Sequence, residues 1–258
     1  MMRIKLITVQ VLAVLFMSVS CGQTSGTIEF QTFHLEDFEK HPKGTADTDG
    51  FSYKIDFQYP SQYSNKAVLE RLQIQFIHYT LGKDYAAVSL SEAVEKYIAV
   101  LRNAYYDYLE EMQGYNSDPN FVTGWHIECS NSILFLNKTL LQLQTKDGWY
   151  PAAAQVWENV SHHLFNLQTG DEYRWDDLFV PDAAEQIRRQ HIPALNKYTK
   201  IDFALTGQGV YLIYDNDYDE FTGFMPENAS VTLTYLQIIP YLRKGTPVWE
   251  VASGGKIQ

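Results

Sequence analysis

The sequence is poor in cysteine, in basic charge and in long apolar runs, and each scarcity removes a class of protein. Two cysteines in 258 residues exclude a disulfide-stapled scaffold, so stability rests on packing. Twenty Lys and Arg against 31 Asp and Glu give a formal charge of −11, which argues against nucleic acid as a partner. The longest apolar stretch, Leu6 to Met17 interrupted by Thr8 and Gln10, is too short for the roughly 20 residues of a membrane-spanning helix. Seven histidines show no His-x-x-x-His or Glu-flanked pair, so metal-ligand spacing is missing. Neither Gly-x-Ser-x-Gly nor a phosphate-cradling glycine loop occurs, and no cofactor is called for. What is abundant is core material: 45% of residues are hydrophobic and 14% aromatic, enough for one large or two small globular domains.

Residues 1–20 read as a secretory leader. Arg3 and Lys5 supply the basic start, an apolar stretch follows, and small residues in Ser18-Val19-Ser20 precede Cys21. That arrangement resembles a bacterial lipobox, with Ser18 where Leu is usual, and it implies lipidation of Cys21 and a membrane anchor. Ordinary cleavage near Ser20 is the alternative. Without Arg3 and Lys5, 18 basic side chains face 31 acidic ones and the exported body carries −13. Gly22 to Gly26 reads as a tether.

Thr27 to Phe33 is a candidate first strand, followed by a loop over His41 to Gly50. Phe51, Tyr53, Ile55, Phe57 and Tyr59 then alternate with polar residues, and Pro60 is expected to stop this strand. Two helices follow. The first spans about Lys66 to Tyr79. The second opens on the capping box Ser89/Glu92, carries Leu90, Val94, Tyr97, Leu101, Tyr105, Tyr108 and Met112 on one stripe, and stops at Gly114. The stripe reads as a core face rather than a sugar-stacking platform. Trp125 to Cys129, Ile133 to Leu136 and Leu140 to Gln144 form a meander that ends in a turn at Lys146-Asp147-Gly148, with Cys129 a small core residue. Gln155 to Leu167 is a further strand. Pro181 to Glu185 starts a helix with an Asp-x-x-Glu signature, and Val210 to Tyr214 and Val231 to Tyr235 are strands joined by an acidic loop. The grouping predicts an α+β fold of antiparallel sheets packed with helices, in two intimately packed subdomains.

Three stretches together resemble the DUF3298 family. They are Phe165-Asn166-Leu167-Gln168-Thr169-Gly170 leading to Trp175-Asp176-Asp177-Leu178-Phe179, the run Phe203 to Tyr214 around Gly207 and Gly209, and Val231 to Leu242, whose last part reads as a strand entering a short helix. The first half is similar, more weakly, to the companion DUF4163 family through the strand ending at Tyr59-Pro60 and the helix beginning near Asn65. The resemblance implies an extracytoplasmic protein like the bacterial lipoproteins, lysozyme-sensing anti-sigma factors and peptidoglycan deacetylase regions in which these domains occur. It implies no catalytic residues. Where many relatives carry a Gly-Ala-His core, this chain has Gly148-Trp149-Tyr150-Pro151-Ala152-Ala153-Ala154. The domain reading is therefore a leader over 1–20, Cys21 with tether, first strand and loop over 21–50, a DUF4163-like region over 51–145 and a DUF3298-like region over 146–258.

Few residues point to chemistry. Ser161-His162-His163 places two imidazoles on opposite faces of a strand, unable to share one metal. Asp215-Asn216-Asp217-Tyr218-Asp219-Glu220 opens like a calcium loop but puts Glu220 where Gly is needed and Pro226 where a bidentate Glu is needed. A solvated acidic loop is the reading, weak surface calcium binding the alternative. Candidate ligand contacts are Trp149, Tyr150, Asp215, Asp217, Asp219 and Glu220. The expectation is a non-enzymatic lipoprotein of the cell envelope that binds or senses a cationic lysozyme-like protein or a glycan fragment. A glycan- or peptidoglycan-acting enzyme and a structural envelope component are the alternatives.

Overall fold

In the computed structural model, residues 27–86, 89–115, 122–151, 157–193, 195, 200–215 and 229–254 are described. Mixed helix and strand make an α+β protein of two compact units. The first comprises Met1–Ser132 with Thr145–Val160, the second Ile133–Gln144 with Ser161–Gln258. The chain passes from one unit to the other after residues 132, 144 and 160.

The first unit begins with the antiparallel pair β1 (Glu29–Lys40) and β2 (Gly50–Gln62). The connecting loop is closed by Asp49, whose carboxylate accepts from the amides of Thr45 (2.8 Å) and Ala46 (2.7 Å). Alternation on β2 buries Phe51, Tyr53, Ile55 and Phe57. The strand runs past Pro60, contrary to the expected stop. Pro60 opposes Phe30 beside a register shift, and the pairing of β2 with its other neighbour has already ended at Asp56, so no ladder donor is lost.

Helices α1 (Lys66–Leu81) and α2 (Leu90–Tyr115) follow. Asn65 caps α1 by accepting from the Val68 amide (3.2 Å), and Ser89 and Glu92 bond reciprocally at the start of α2. α2 ends one residue past Gly114. Its most buried positions are Ala93, Val94, Ile98, Tyr105 and Leu109, so Tyr97, Leu101 and Tyr108 of the expected stripe lie at its half-buried margin. The two helices form the crossover that lets β3 (Trp125–Leu136) lie parallel to β2, with Phe51 opposite Trp125 and Asp56 opposite Ser130.

β3 is one continuous strand where two had been expected. Asn137 caps the tight connection to β4 (Leu140–Pro151), its side-chain oxygen accepting from the amides of Thr139 (2.8 Å) and Leu140 (2.7 Å). β4 passes straight through Lys146-Asp147-Gly148, which is therefore strand and not turn. Then come β5 (Trp157–Asn166) and the short β6 (Glu172–Tyr173), giving the sheet order β1-β2-β3-β4-β5-β6. Gly170, at φ 77°, closes the turn between the last two with its amide on the Asn166 carbonyl (2.7 Å).

In the second unit, α3 (Trp175–Leu178) and α4 (Ala183–His191) precede an antiparallel sheet of β7 (Lys200–Leu205), β8 (Gly209–Asp215) and β9 (Ala229–Thr234). Asp182 stands at the start of α4 but in left-handed backbone and without a capping bond. Glu185 is committed instead to Arg188 (2.8 Å) and Arg189 (2.6 Å), which hold its carboxyl down at about 2. Gly209 is required by contact: a Cβ there would stand 2.0 Å from the Leu233 carbonyl oxygen. β9 stops at Thr234, which forms a capping box with Gln237, so α5 (Tyr235–Ile238) begins where the strand had been expected to continue. α6 (Pro247–Ala252) closes the unit. Phe179, Ile187, Leu205, Leu212, Tyr214 and Val248 fill its core, and the Trp175 ring stacks on Phe179 at 3.6 Å.

Candidate functional site

An open pocket of about 360 Å³ lies in the first unit, between α2 and the strands β3 and β4. Its residues follow from two periodicities. Spacing of four on α2 sets Tyr97 and Leu101 side by side, and alternation on β3 sends Trp125, Ile127 and Cys129 to one face. β4 contributes Asp147, Gly148 and Trp149. The two tryptophans meet edge to face at 5.1 Å, and Trp125 is braced from behind by Tyr105 (5.6 Å) and Tyr108 (5.2 Å). Tyr105 is itself fixed, its hydroxyl donating to the Thr123 carbonyl (2.9 Å).

The indole N–H of Trp125 and that of Trp149 are both enclosed, and neither has an acceptor among the described residues. An enclosed donor left unbonded costs about 1–3 kcal/mol, a cost the fold carries at both indoles. The one charge at the pocket is Asp147, exposed and accepting from Asn159 Nδ2 (3.2 Å). Below it, burial pushes the Cys129 thiol up to about 12, with Asp147 adding to the rise. Its Sγ–H donates to the Thr80 carbonyl (2.9 Å). Burial and the neighbouring Cys129 raise the Tyr97 phenol as well. Both groups stay neutral at ordinary pH, so Cys129 is a core residue and no nucleophile.

Trp149 and Tyr150, adjacent on β4, are divided between two surroundings. Trp149 joins the pocket. Tyr150 packs its ring near His126 (5.7 Å) and donates to Glu158 (2.5 Å), which also pairs with Lys146 (3.2 Å). That bond, with some burial, pushes the Tyr150 phenol up to about 12 and draws Glu158 below its usual range. Gly148 makes the arrangement possible, since a Cβ there would lie 2.7 Å from the Tyr150 hydroxyl. Of the other candidate contacts, Asp215 is the last residue of β8 in the second unit. Asp217, Asp219 and Glu220, like Cys21, lie outside the described residues.

The paired histidines of β5 have separate partners. His162 is buried, with Nδ1 donating to Asp202 (2.8 Å) and Nε2 accepting from Gln144 (3.0 Å), while His163 Nδ1 bonds Glu172 (2.8 Å). With both ring nitrogens occupied, His162 has none left to activate a nucleophile. Among the described residues, no group of three or more His, Cys, Asp and Glu could hold a metal, and no helix is long and apolar enough to cross a membrane.

Sequence reasoning had named Trp149 but assigned Tyr97, Leu101, Trp125 and Ile127 to the core and Asp147 to a turn. The available signal was the width of the α2 stripe, too broad for every member to be covered.

No family model matches the sequence, and no curated protein matches it. Solved structures do. A member of the DUF3298 family from Bacteroides fragilis is 17% identical, with 92% of this chain and all of that one covered at a TM-score of 0.70. The chain has the fold of the DUF3298 proteins. A DUF3298 family protein from Pseudomonas aeruginosa, 12% identical, aligns over 85% of this chain and 96% of its own at a TM-score of 0.50. At these identities the DUF3298 likeness speaks for the fold and carries no residue assignments.

Proposed function

We propose that this chain is an exported lipoprotein, anchored to a membrane through Cys21, whose DUF3298-type body with its DUF4163-like first half binds an envelope ligand without transforming it. The observation that carries the reading is the open pocket between α2, β3 and β4, walled by Tyr97, Trp125 and Trp149. Its lining provides aromatic surface but a single carboxylate, Asp147, where glycoside cleavage uses two. Its one thiol neighbour is protonated. A cationic lysozyme-like protein is the alternative ligand, supported by the charge of −13 left once Arg3 and Lys5 are removed with the leader (18 − 31), which would speed its association in a strongly salt-dependent way.

The test is thermal denaturation of the full chain in detergent with lysozyme, muropeptides or neutral oligosaccharides, at low and moderate salt. A saturable rise in Tm without product formation is expected. Product release would make the protein an enzyme, and a Tm unmoved by every ligand would overturn the reading. Metabolic acyl labelling that survives Cys21→Ser would overturn the anchor.

A further inference from the structure

We infer that the open edge of β1 accepts an added strand from a basic partner protein, a segment in which apolar residues alternate with Lys or Arg. The inference goes beyond the ligand-binding reading above and makes no use of the pocket. β1 stands first in the sheet order and pairs only with β2 among the described residues. Two hydrogen bonds fix which of its backbone groups that pairing uses. At the hairpin end, the His41 amide donates to the Asp49 carbonyl (2.9 Å), in register with the pairs Glu39–Phe51, Asp37–Tyr53, Leu35–Ile55 and Phe33–Phe57. On β2, the Gln58 amide turns the other way and donates to the Asn131 side chain of β3 (2.7 Å). Odd-numbered residues of β1 therefore bond β2, and the N–H and C=O groups of Thr32, His34 and Glu36 point out of the sheet. Phe38 belongs to the same row, but its amide is covered by the Asp37 carboxylate (2.9 Å).

A long free edge is a template for another strand unless something blunts it. β1 has twelve residues and no proline, and its one register shift lies at the far end, between Glu29 and Phe30. Its guard is charge of one sign: Glu29, Glu36, Asp37 and Glu39 against the single Lys40, all exposed. That guard is selective. A second copy would set carboxylates beside carboxylates in a protein of charge −11, whereas a basic strand meets opposite charge. The two faces of the edge set the partner's alternation. Phe33 and Leu35, opposite the buried Phe57 and Ile55, are half-buried on the core side. Glu36 is exposed on the other side, where His34 is bonded to Asp56 (2.5 Å). Side chains of an added strand fall beside these two rows in turn, so every second one meets an apolar rim and those between meet acid.

Calorimetric titration of the full chain in detergent tests the assignment. The probes are a blocked octapeptide of alternating Lys and Val, its counterpart of Glu and Val, and a Lys–Val peptide with every amide N-methylated. Saturable one-to-one binding of the first alone, weakening as salt is raised, is expected. Thr32→Pro removes a donor from the free edge and none from the β1–β2 ladder, and should weaken binding about tenfold or more. Glu36→Lys should weaken it as far, while Glu250→Lys on α6, an exposed site with the same change in net charge, should alter it less than about twofold. Should Thr32→Pro fail to fold, Glu36→Lys against Glu250→Lys carries the test. Silence with the Lys–Val peptide, equal binding of its methylated form, or equal loss in Glu36→Lys and Glu250→Lys overturns the inference. So does self-association of the chain in sedimentation that Thr32→Pro abolishes, which would give the edge to a second copy.

Discussion

The two units use their enclosed ring nitrogens differently. In the second, His162 is held between Asp202 and Gln144, and nearby Gln142 accepts from the Leu205 amide (3.0 Å) to tie β7 to β4. In the first, Trp125 and Trp149 keep enclosed donors that no described residue uses. The same cost of an unmet hydrogen bond that fixes His162 between two partners is carried uncompensated at the two indoles. Packing strength does not separate them, since both hold fully buried aromatics, Phe57 and Phe76 in one and Phe165 and Phe179 in the other.

The largest expected effect probes how closed the first unit is below its pocket. With the Cys129 thiol raised from its ordinary value near 9 to about 12, alkylation of native protein at pH 8 should be ~1,000-fold slower than in denaturant. Mass spectrometry of the peptide containing Cys129 measures it, and fast native labelling would show the core around Cys129 to be open. The same shift contributes to the alkaline limb of stability, together with the raised phenols of Tyr97, Tyr105 and Tyr150. Between about pH 9 and 12 the unfolded chain releases a proton that the folded chain keeps, so stability falls as pH rises through that window. Urea midpoints across it should fall more for wild type than for Cys129→Ala.

In the second unit, Phe179→Ala removes a ring stacked on Trp175 and should cost about 3–5 kcal/mol in urea denaturation. Asp202→Ala strips the buried His162 of its acceptor and should cost about 1–3 kcal/mol. Ser89→Ala opens the capping box of α2 and should cost about 1 kcal/mol. Trp149→Phe should change stability least, by less than about 1 kcal/mol, because the lost N–H bonds nothing in the described protein. A loss as large as that of Asp202→Ala would show that the indole already has a partner, and the contrast between the units would collapse.

Much of the fold was legible from residue order. Alternation marked β2, Ser89 and Glu92 marked the start of α2, and Gly170 marked the turn before β6, because each signal acts over a few residues. The misreadings share a cause. Pro60, Lys146-Asp147-Gly148 and Tyr235 carry local preferences that their partners overrule: an unpaired edge tolerates the proline, the Tyr150 ring occupies the space over Gly148, and Thr234 starts a helix by bonding Gln237. The pocket was hardly legible. Tyr97 and Leu101 repeat with the core stripe and Trp125 and Ile127 with the core strand, and nothing in their spacing separates a covered side chain from one left open.

By itself the sequence determined the composition of the protein, its acidity, its α+β class and the local starts and stops of its elements, since these depend on side-chain period and on caps within a turn of chain. Only the tertiary structure decided that β2 and β3 run parallel across a helical crossover, that adjacent Trp149 and Tyr150 serve different surroundings, and that the enclosed N–H groups of Trp125 and Trp149 find no acceptor among the described residues. Those outcomes depend on which distant residues meet, and hydrogen bonds are made or left unmade only there.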